Sequence, residues 1–265
     1  MSQTLLNTES ADGTTIAYEA DGAGPPLLLI GGALNNRGSA APLVPLLADR
    51  YTVVRFDRRG RGDSGDTPPY APERELEDVE ALIAEVGGPL FVYGHSSGAA
   101  LALHSARRGA PISKLALYEP PFIVDASRPP LPEDHLERAG SLPPGEALEY
   151  FLTVAVGMPP AMVEGMRSTP MWAQLEGVAH TLIYDQTIMY PEQHGRPLPR
   201  EWAGEVTMPT LVMDGGNSPA WMRNAAQGLA DVLPTARHLT VDDCDHAVPP
   251  ETIAPILTDF FEGAR

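Results

Sequence analysis

The run Leu90-Phe91-Val92-Tyr93-Gly94-His95-Ser96-Ser97-Gly98-Ala99-Ala100 constrains the fold more than any other part of the chain. An apolar stretch of strand length passes through Gly-x-Ser-x-Gly into a small-residue segment suited to a helix. A serine on so tight a turn is held at strained backbone angles, and the flanking glycines let neighbouring segments pass close to it. Its hydroxyl then projects from the edge of the sheet. At the start of the helix, the N–H of Ser97 has no intrahelical acceptor and is free to face an oxyanion. Standing alone, the five-residue pattern also describes an ordinary Gly-rich strand-to-helix turn, so the context decides its meaning.

Two other segments supply that context. Leu27-Leu28-Leu29-Ile30-Gly31-Gly32-Ala33 is a strand ending in a glycine pair, which turns a backbone amide, that of Ala33, toward the same edge. Val241-Asp242-Asp243-Cys244-Asp245-His246-Ala247-Val248 places His246 in the loop after the last strand, where it is available as a base for Ser96.

Around these segments, β-rich runs at 15–18, 26–30, 51–56, 90–93, 114–118, 210–213 and 237–241 alternate with helical periodicities at 72–86, 97–108, 220–233 and 250–261. Several runs are almost continuously apolar, as strands covered on both faces must be. The pattern predicts an α/β fold with a mostly parallel, twisted sheet flanked by helices. From 123 to 206 the strand pattern stops. Pro-rich joints there separate short helical pieces carrying Met158, Met162, Met166, Met171 and Trp172. This stretch reads as a helical insertion whose helices start and stop at proline, with residues 1–122 and 207–265 forming the two parts of the core. Its methionines and aromatics suit either an internal core or an adaptable pocket.

With these segments placed, the chain resembles the α/β-hydrolase fold superfamily, in its lid-bearing, esterase-like serine hydrolase form, over residues 13–261. Val54-Arg55-Phe56-Asp57-Arg58-Arg59-Gly60-Arg61-Gly62-Asp63-Ser64-Gly65 is similar to the family's Asp-x-Arg-Gly-x-Gly-x-Ser segment. That segment is structural in the family, so Asp57, Arg58, Arg59 and Asp63 are expected to be ion-paired turn residues. The resemblance implies about eight strands, a lid formed by 123–206, Ser96 as nucleophile, His246 as general base, and an oxyanion hole from the Ala33 and Ser97 amides. It implies no metal and no cofactor. The family usually takes its acid from the loop after the penultimate strand, but here Leu211-Val212-Met213-Asp214-Gly215-Gly216-Asn217-Ser218-Pro219 puts Ser218 at that position. Glu119, ending the strand before, is the preferred substitute, because relatives such as haloalkane dehalogenases draw their acid from the end of that strand. Asp214 is the alternative, and Asp245 or no acid at all stays open.

Gly32, His95 and Trp172 are candidates for substrate contact. His180 and Tyr184, four residues apart and so on one helix face, join them. The expected reaction is hydrolysis of a carboxylic ester or lactone of a medium-sized, largely apolar molecule through an acyl-enzyme. Carbon–carbon bond or thioester hydrolysis, cofactor-free perhydrolysis, cyclase or lyase chemistry in secondary metabolism, and a non-catalytic ligand-binding role remain alternatives. A serine at the elbow argues against dehalogenase and epoxide hydrolase chemistry, which in this fold resemble each other in using an aspartate there.

Charge bounds the partners. With 18 Lys+Arg against 35 Asp+Glu the formal net charge is −17, and no basic patch interrupts it, which argues against nucleic acid and anionic membranes. Lys114 is the only lysine and is expected to be solvated at a strand edge. Cys244 is the only cysteine, so no intrachain disulfide forms, and no zinc-like Cys/His spacing occurs. The start of the chain has no basic-then-apolar leader, and no apolar run approaches the roughly 18 residues of a membrane span. A soluble, cytoplasmic monomer or homodimer acting on a small molecule is expected.

Overall fold

A computed structural model describes residues 4–263. Among these, eight strands form one sheet: β1 (Leu6–Glu9), β2 (Thr15–Asp21), β3 (Pro26–Ile30), β4 (Thr52–Phe56), β5 (Leu90–His95), β6 (Ile112–Tyr118), β7 (Thr210–Gly215) and β8 (Ala236–Val241). Their order is β1-β2-β4-β3-β5-β6-β7-β8. β2 runs antiparallel to both neighbours, and all other pairs are parallel.

The apolar strands take the central places. β3 is Pro-Leu-Leu-Leu-Ile with its last four residues buried, and every residue of β7 is buried. Helices cover both faces, so no polar alternation is needed, and each fully buried leucine contributes about 1.5–3 kcal/mol. β1 lies outside the seven runs legible in the sequence. Its Leu-Asn-Thr-Glu is largely exposed at the sheet edge, held by its ladder to β2 rather than by apolar burial.

Eleven α-helices occur among the described residues: α1 (Val44–Leu47), α2 (Pro72–Val86), α3 (Ser97–Arg107), α4 (His135–Ser141), α5 (Pro144–Tyr150), α6 (Pro160–Arg167), α7 (Pro170–Gly177), α8 (Leu182–Met189), α9 (Trp202–Glu205), α10 (Ala220–Val232) and α11 (Pro250–Glu262). Local chemistry sets their limits. α2 opens on Pro72 with Glu73 and Glu75 in its first turn, and ends at Gly87, whose φ of 82° is left-handed. α2, α3 and α10 pack on one face of the sheet through Val79, Leu82, Leu101, Leu103 and Leu229. α1 and α11 cover the other through Val44, Leu47, Ile253 and Leu257.

All elements between β6 and β7 are helical, and α5, α6 and α7 each begin at a proline, as the Pro-rich joints predict. These helices enclose a small apolar cluster of Leu148, Phe151, Leu152, Val163, Trp172 and Leu182, against which Ala33 and Leu34 pack. The methionines divide: Met158 and Met166 lie against this cluster, whereas Met162 and Met171 are exposed. Lys114 differs from its expectation of a solvated edge. Its Nζ donates to the carbonyls of Phe260 (3.0 Å), Phe261 (3.0 Å) and Gly263 (2.7 Å), using its charge to close the C-terminus of α11. No helix among the described residues is long and apolar enough to cross a membrane.

Candidate active site

The carboxyl ends of β3, β5, β6, β7 and β8 lie side by side at one edge of the sheet, where ligands of such folds bind. Ser96 joins β5 to α3 at φ 58° and ψ −127°. Its N–H still donates to Tyr118 O (2.9 Å), continuing the sheet, while its carbonyl already accepts from Ala99 N (2.9 Å), starting the helix. The sharp change of direction demands close approaches. A Cβ on Gly98 would lie 2.2 Å from Ile30 O, and one on Gly32 would lie 2.8 Å from Ser96 Cβ. Both positions admit only hydrogen.

Four non-glycine residues among those described have positive φ: Leu34, Ser96, Glu119 and Asp243. All four follow strands at this edge. Such conformations cost of order 1–3 kcal/mol each and persist where surrounding structure holds them.

Glu119, just past β6, is fully buried. Its Oε2 lies 2.6 Å from His246 Nδ1, and its Oε1 accepts from Gly215 N at 2.8 Å. Burial pushes this carboxyl up, but the hydrogen bonds from His246 and the Gly215 N–H, with the Ser218 hydroxyl close by, outweigh it and hold the group below its ordinary range. An ionised carboxylate only accepts, so His246 Nδ1 carries a proton, and in the neutral ring Nε2 is then the acceptor. The His246 side chain is 43% exposed, which leaves that nitrogen reachable.

Two side chains hold the histidine loop from below. Tyr118 Oη donates to Asp245 O (2.6 Å), and His95 Nε2 lies 2.8 Å from His246 O. A carbonyl cannot donate, so His95 Nε2 bears the proton. Burial and the adjacent His246 depress His95 to about 4, so it is neutral near pH 7.

The other carboxylates are engaged elsewhere. Asp214 Oδ2 pairs with His238 Nε2 of β8, not with His246. Asp245 Oδ1 accepts from Ala247 N at 2.8 Å. Among the described residues no group of three or more His, Cys, Asp and Glu side chains is arranged to hold a metal ion.

The remaining predicted contacts divide. Gly32 lies against Ser96. His95 turns to the histidine loop and also lines a cavity of about 400 Å³ with Gly31, Asn35 and Val248. Trp172 is buried within the cluster of the inserted helices, with the Arg167 guanidinium 5.0 Å from its ring. The shared helix face expected for His180 and Tyr184 needs correction. His180 is exposed on a 3₁₀ turn (Ala179–Thr181), whose three-residue period does not align positions four apart. Tyr184, within α8, stacks on Tyr70 at 3.9 Å and donates to Asp66 Oδ2 at 2.8 Å.

The arginine segment is ion-paired as expected. Arg59 holds Asp78 and Asp12, Arg58 holds Glu75, and Arg37 holds Asp57 and Asp63. Sequence reading missed Asp185, a fully buried partner of Arg58 and Arg61 supplied from α8. The only signal for it is a single charge in a helix with apolar ends, Leu-Ile-Tyr-Asp-Gln-Thr-Ile-Met.

A mostly parallel sheet covered on both faces, with a serine elbow, a glycine-paired loop and a histidine loop at its carboxyl edge, defines the class of an α/β hydrolase. Residues 27–254 match the model of the Alpha/beta hydrolase family, and the chain belongs to that family. An α/β hydrolase of solved structure from Sphaerobacter thermophilus DSM 20745 is 50% identical, with a TM-score of 0.89 over 97% of this chain and 100% of that one. The uncharacterized hydrolase YraK of Bacillus subtilis (strain 168) is 34% identical over 100 residues, 36% of this chain and 37% of YraK. Probable oxidoreductase EphD of Mycobacterium tuberculosis (strain ATCC 25618 / H37Rv) is 32% identical over 117 residues, 42% of this chain and 20% of EphD. Both of these alignments span well under two thirds of the relative's own length.

Proposed function

We propose that the chain is a serine hydrolase that cleaves a carboxylic ester or lactone of a medium-sized, largely apolar small molecule through an acyl-enzyme on Ser96. The observation that carries this reading is the 2.6 Å contact between His246 Nδ1 and Glu119 Oε2, which supplies an oriented base although Ser218 stands where an acid was expected.

The chemistry follows from that orientation. Ser96 Oγ attacks the carbonyl carbon as His246 Nε2 takes its proton, and Glu119 stabilises the resulting imidazolium. The N–H groups of Ala33 and Ser97 receive the tetrahedral oxyanion, each worth roughly 10²–10³ in rate by analogy with donor deletions. Collapse breaks the bond to the leaving oxygen, which His246 protonates. Water, deprotonated by the same imidazole, then attacks the acyl carbon and releases the acid and Ser96. The helical segment 123–206 serves as a lid, because its apolar cluster lies against Ala33 and Leu34 of the oxyanion loop. The contact of Glu119 with His246 argues against a non-catalytic ligand-binding role.

A fluorophosphonate probe should label Ser96, and labelling should disappear in His246→Ala. p-Nitrophenyl esters of increasing acyl length, assayed beside a lactone panel, should show turnover. An unlabelled, folded wild-type chain would falsify the acyl-enzyme reading.

A further inference from the structure

Arg58, Arg61 and Asp185 are almost completely buried and lie directly behind the two backbone amides assigned above to the oxyanion. Asp185 Oδ1 accepts from the Ser97 hydroxyl (2.6 Å) and from Arg58 Nη1 (2.6 Å), and Oδ2 accepts from Arg61 Nη2 (2.5 Å). Arg61 Nη1 donates to Gly32 O (2.9 Å) and Asn35 O (3.3 Å), and its Nε donates to Thr181 Oγ1 (3.0 Å). Arg58 reaches the Ser97 hydroxyl (3.1 Å) and Gly31 O (3.5 Å), with its far side held by Glu75 at 2.6 and 2.9 Å. Two guanidiniums thus face two carboxylates out of water.

The peptide plane gives this cluster a bearing on catalysis. Gly32 C=O and Ala33 N–H belong to one planar unit and point in opposite directions when it is trans, so a guanidinium that fixes the carbonyl also fixes the N–H. A cation on that oxygen also polarises the unit and strengthens the N–H as a donor. The second amide belongs to Ser97, whose own side chain is bonded to the same Asp185. Both donors are therefore referred to one carboxylate, and that carboxylate sits on α8, outside the sheet.

We infer that Asp185, acting through Arg61 and the Ser97 hydroxyl, is a positioning residue that aligns the Ala33 and Ser97 amides for the oxyanion, so that seating α8 assembles the oxyanion hole. The inference rests on the acyl-enzyme reading of Ser96. It explains why an acid is fully buried in α8: Asp185 reaches across 88 residues of sequence to Ser97. Burial raises the Asp185 carboxyl, and the two guanidiniums more than offset it, keeping the group ionised as the alignment needs.

The test measures phosphonylation of Ser96 by a fluorophosphonate, a reaction that places an anionic oxygen where the acyl oxyanion would sit. Wild type, Asp185→Asn and Ser97→Ala are followed by intact mass for rate and for final stoichiometry, with melting curves as a check of folding. Misaligned donors slow labelling without removing competent sites. Asp185→Asn is expected to react about 10–100-fold more slowly and Ser97→Ala about 3–10-fold more slowly, below the loss from deleting a donor outright. Both should still reach about one label per chain. Should Asp185→Asn not fold, Ser97→Ala decides, since it removes only a hydroxyl and keeps the backbone N–H. Wild-type rates in the folded variants overturn the inference while leaving the acyl-enzyme reading intact. A fall in final stoichiometry at unchanged rate also overturns it, because that marks lost protein rather than lost alignment. An unlabelled wild type overturns the acyl-enzyme reading and this inference together.

Discussion

Two carboxylate–histidine pairs stand at the ends of neighbouring strands, Glu119 with His246 beyond β6 and Asp214 with His238 on β7. Both carboxylates are fully buried, yet their surroundings differ. Each oxygen of Glu119 has a donor, whereas Asp214 Oδ1 has no hydrogen-bond partner among the described residues. His238 is fixed within β8 opposite Val212, and its Nε2 is spent on Asp214. His246 lies on a loop past the end of β8, bonded through Nδ1, with Nε2 left to act. A carboxylate beside an imidazole therefore does not by itself mark a catalytic base. For the proposed base the distinction lies in which ring nitrogen is used, and in its place on a loop rather than within a strand.

The strongest way to break this comparison is to neutralise each acid in turn. Glu119→Gln should lower kcat about 10³–10⁴-fold, on the scale of the isosteric loss of the acid in a serine-protease triad. Asp214→Asn should leave kcat within about threefold, since the group touches neither Ser96 nor His246. Steady-state kinetics on a p-nitrophenyl ester would rank them, and equal losses would dissolve the distinction. A sharper version moves the acid. Ser218 is buried close to the Glu119 carboxyl, its N–H donating to Gly215 O at 3.0 Å, so Ser218→Asp in the Glu119→Gln background should restore about 10–100-fold of the lost rate by returning a charge to the imidazole. No recovery in a folded double variant would mean that position 218 cannot reach His246.

The contrast between the pairs also marks where sequence stops being legible. β3, β5, β6 and β7 announce themselves because a strand covered on both faces is almost wholly apolar, and the elbow because only glycine fits where a Cβ would strike Ile30 O or Ser96 Cβ. The motifs point to Ser96 and His246, and the resemblance to relatives with an acid after this strand points to Glu119. The strand pattern alone leaves Glu119 and Asp214 as rivals, because both end apolar strands, and side-chain direction at a strand's last residue depends on a backbone bend that sequence does not display. The positive φ of Glu119 is that bend. Asp185 and Arg61 were illegible as partners for another reason: 124 residues separate them, and only the packing of the inserted helices brings them together. His180 and Tyr184 show the opposite error, a regular period assumed across a 3₁₀ turn.

Titration gives a smaller, independent test of the Glu119 pair. Glu119 itself is held below its ordinary range, so its contribution to stability is present above the usual carboxylate pKa and lost as pH falls through its lower folded value. Wild type should therefore lose stability on acidification more steeply than Glu119→Gln, as melting curves followed by circular dichroism across the acid range would show. The same pH dependence in both would remove Glu119 as the group responsible.

The smallest effect on catalysis, and the clearest on stability, should come from His238→Ala. The side chain of His238 is 21% exposed while that of Asp214 is fully buried, so truncation exposes little new surface but strips the carboxylate of the partner on Oδ2. With Oδ1 already unpartnered, the buried group then lacks a hydrogen bond on either oxygen. Leaving it so costs about 1–3 kcal/mol, lowering Tm by about 2–4 °C for each kcal/mol in a chain near this size. Catalysis at 25 °C should stay within about twofold, because neither the histidine loop nor the elbow depends on His238. His246→Ala should do the reverse, abolishing turnover while leaving Tm nearly unchanged, since its ring is 43% exposed and Glu119 keeps the Gly215 N–H. Melting curves and kcat for the two alanine variants, compared on one protein preparation, test the division directly: a tenfold loss of kcat in His238→Ala without a drop in Tm would place the Asp214 pair in the catalytic machinery.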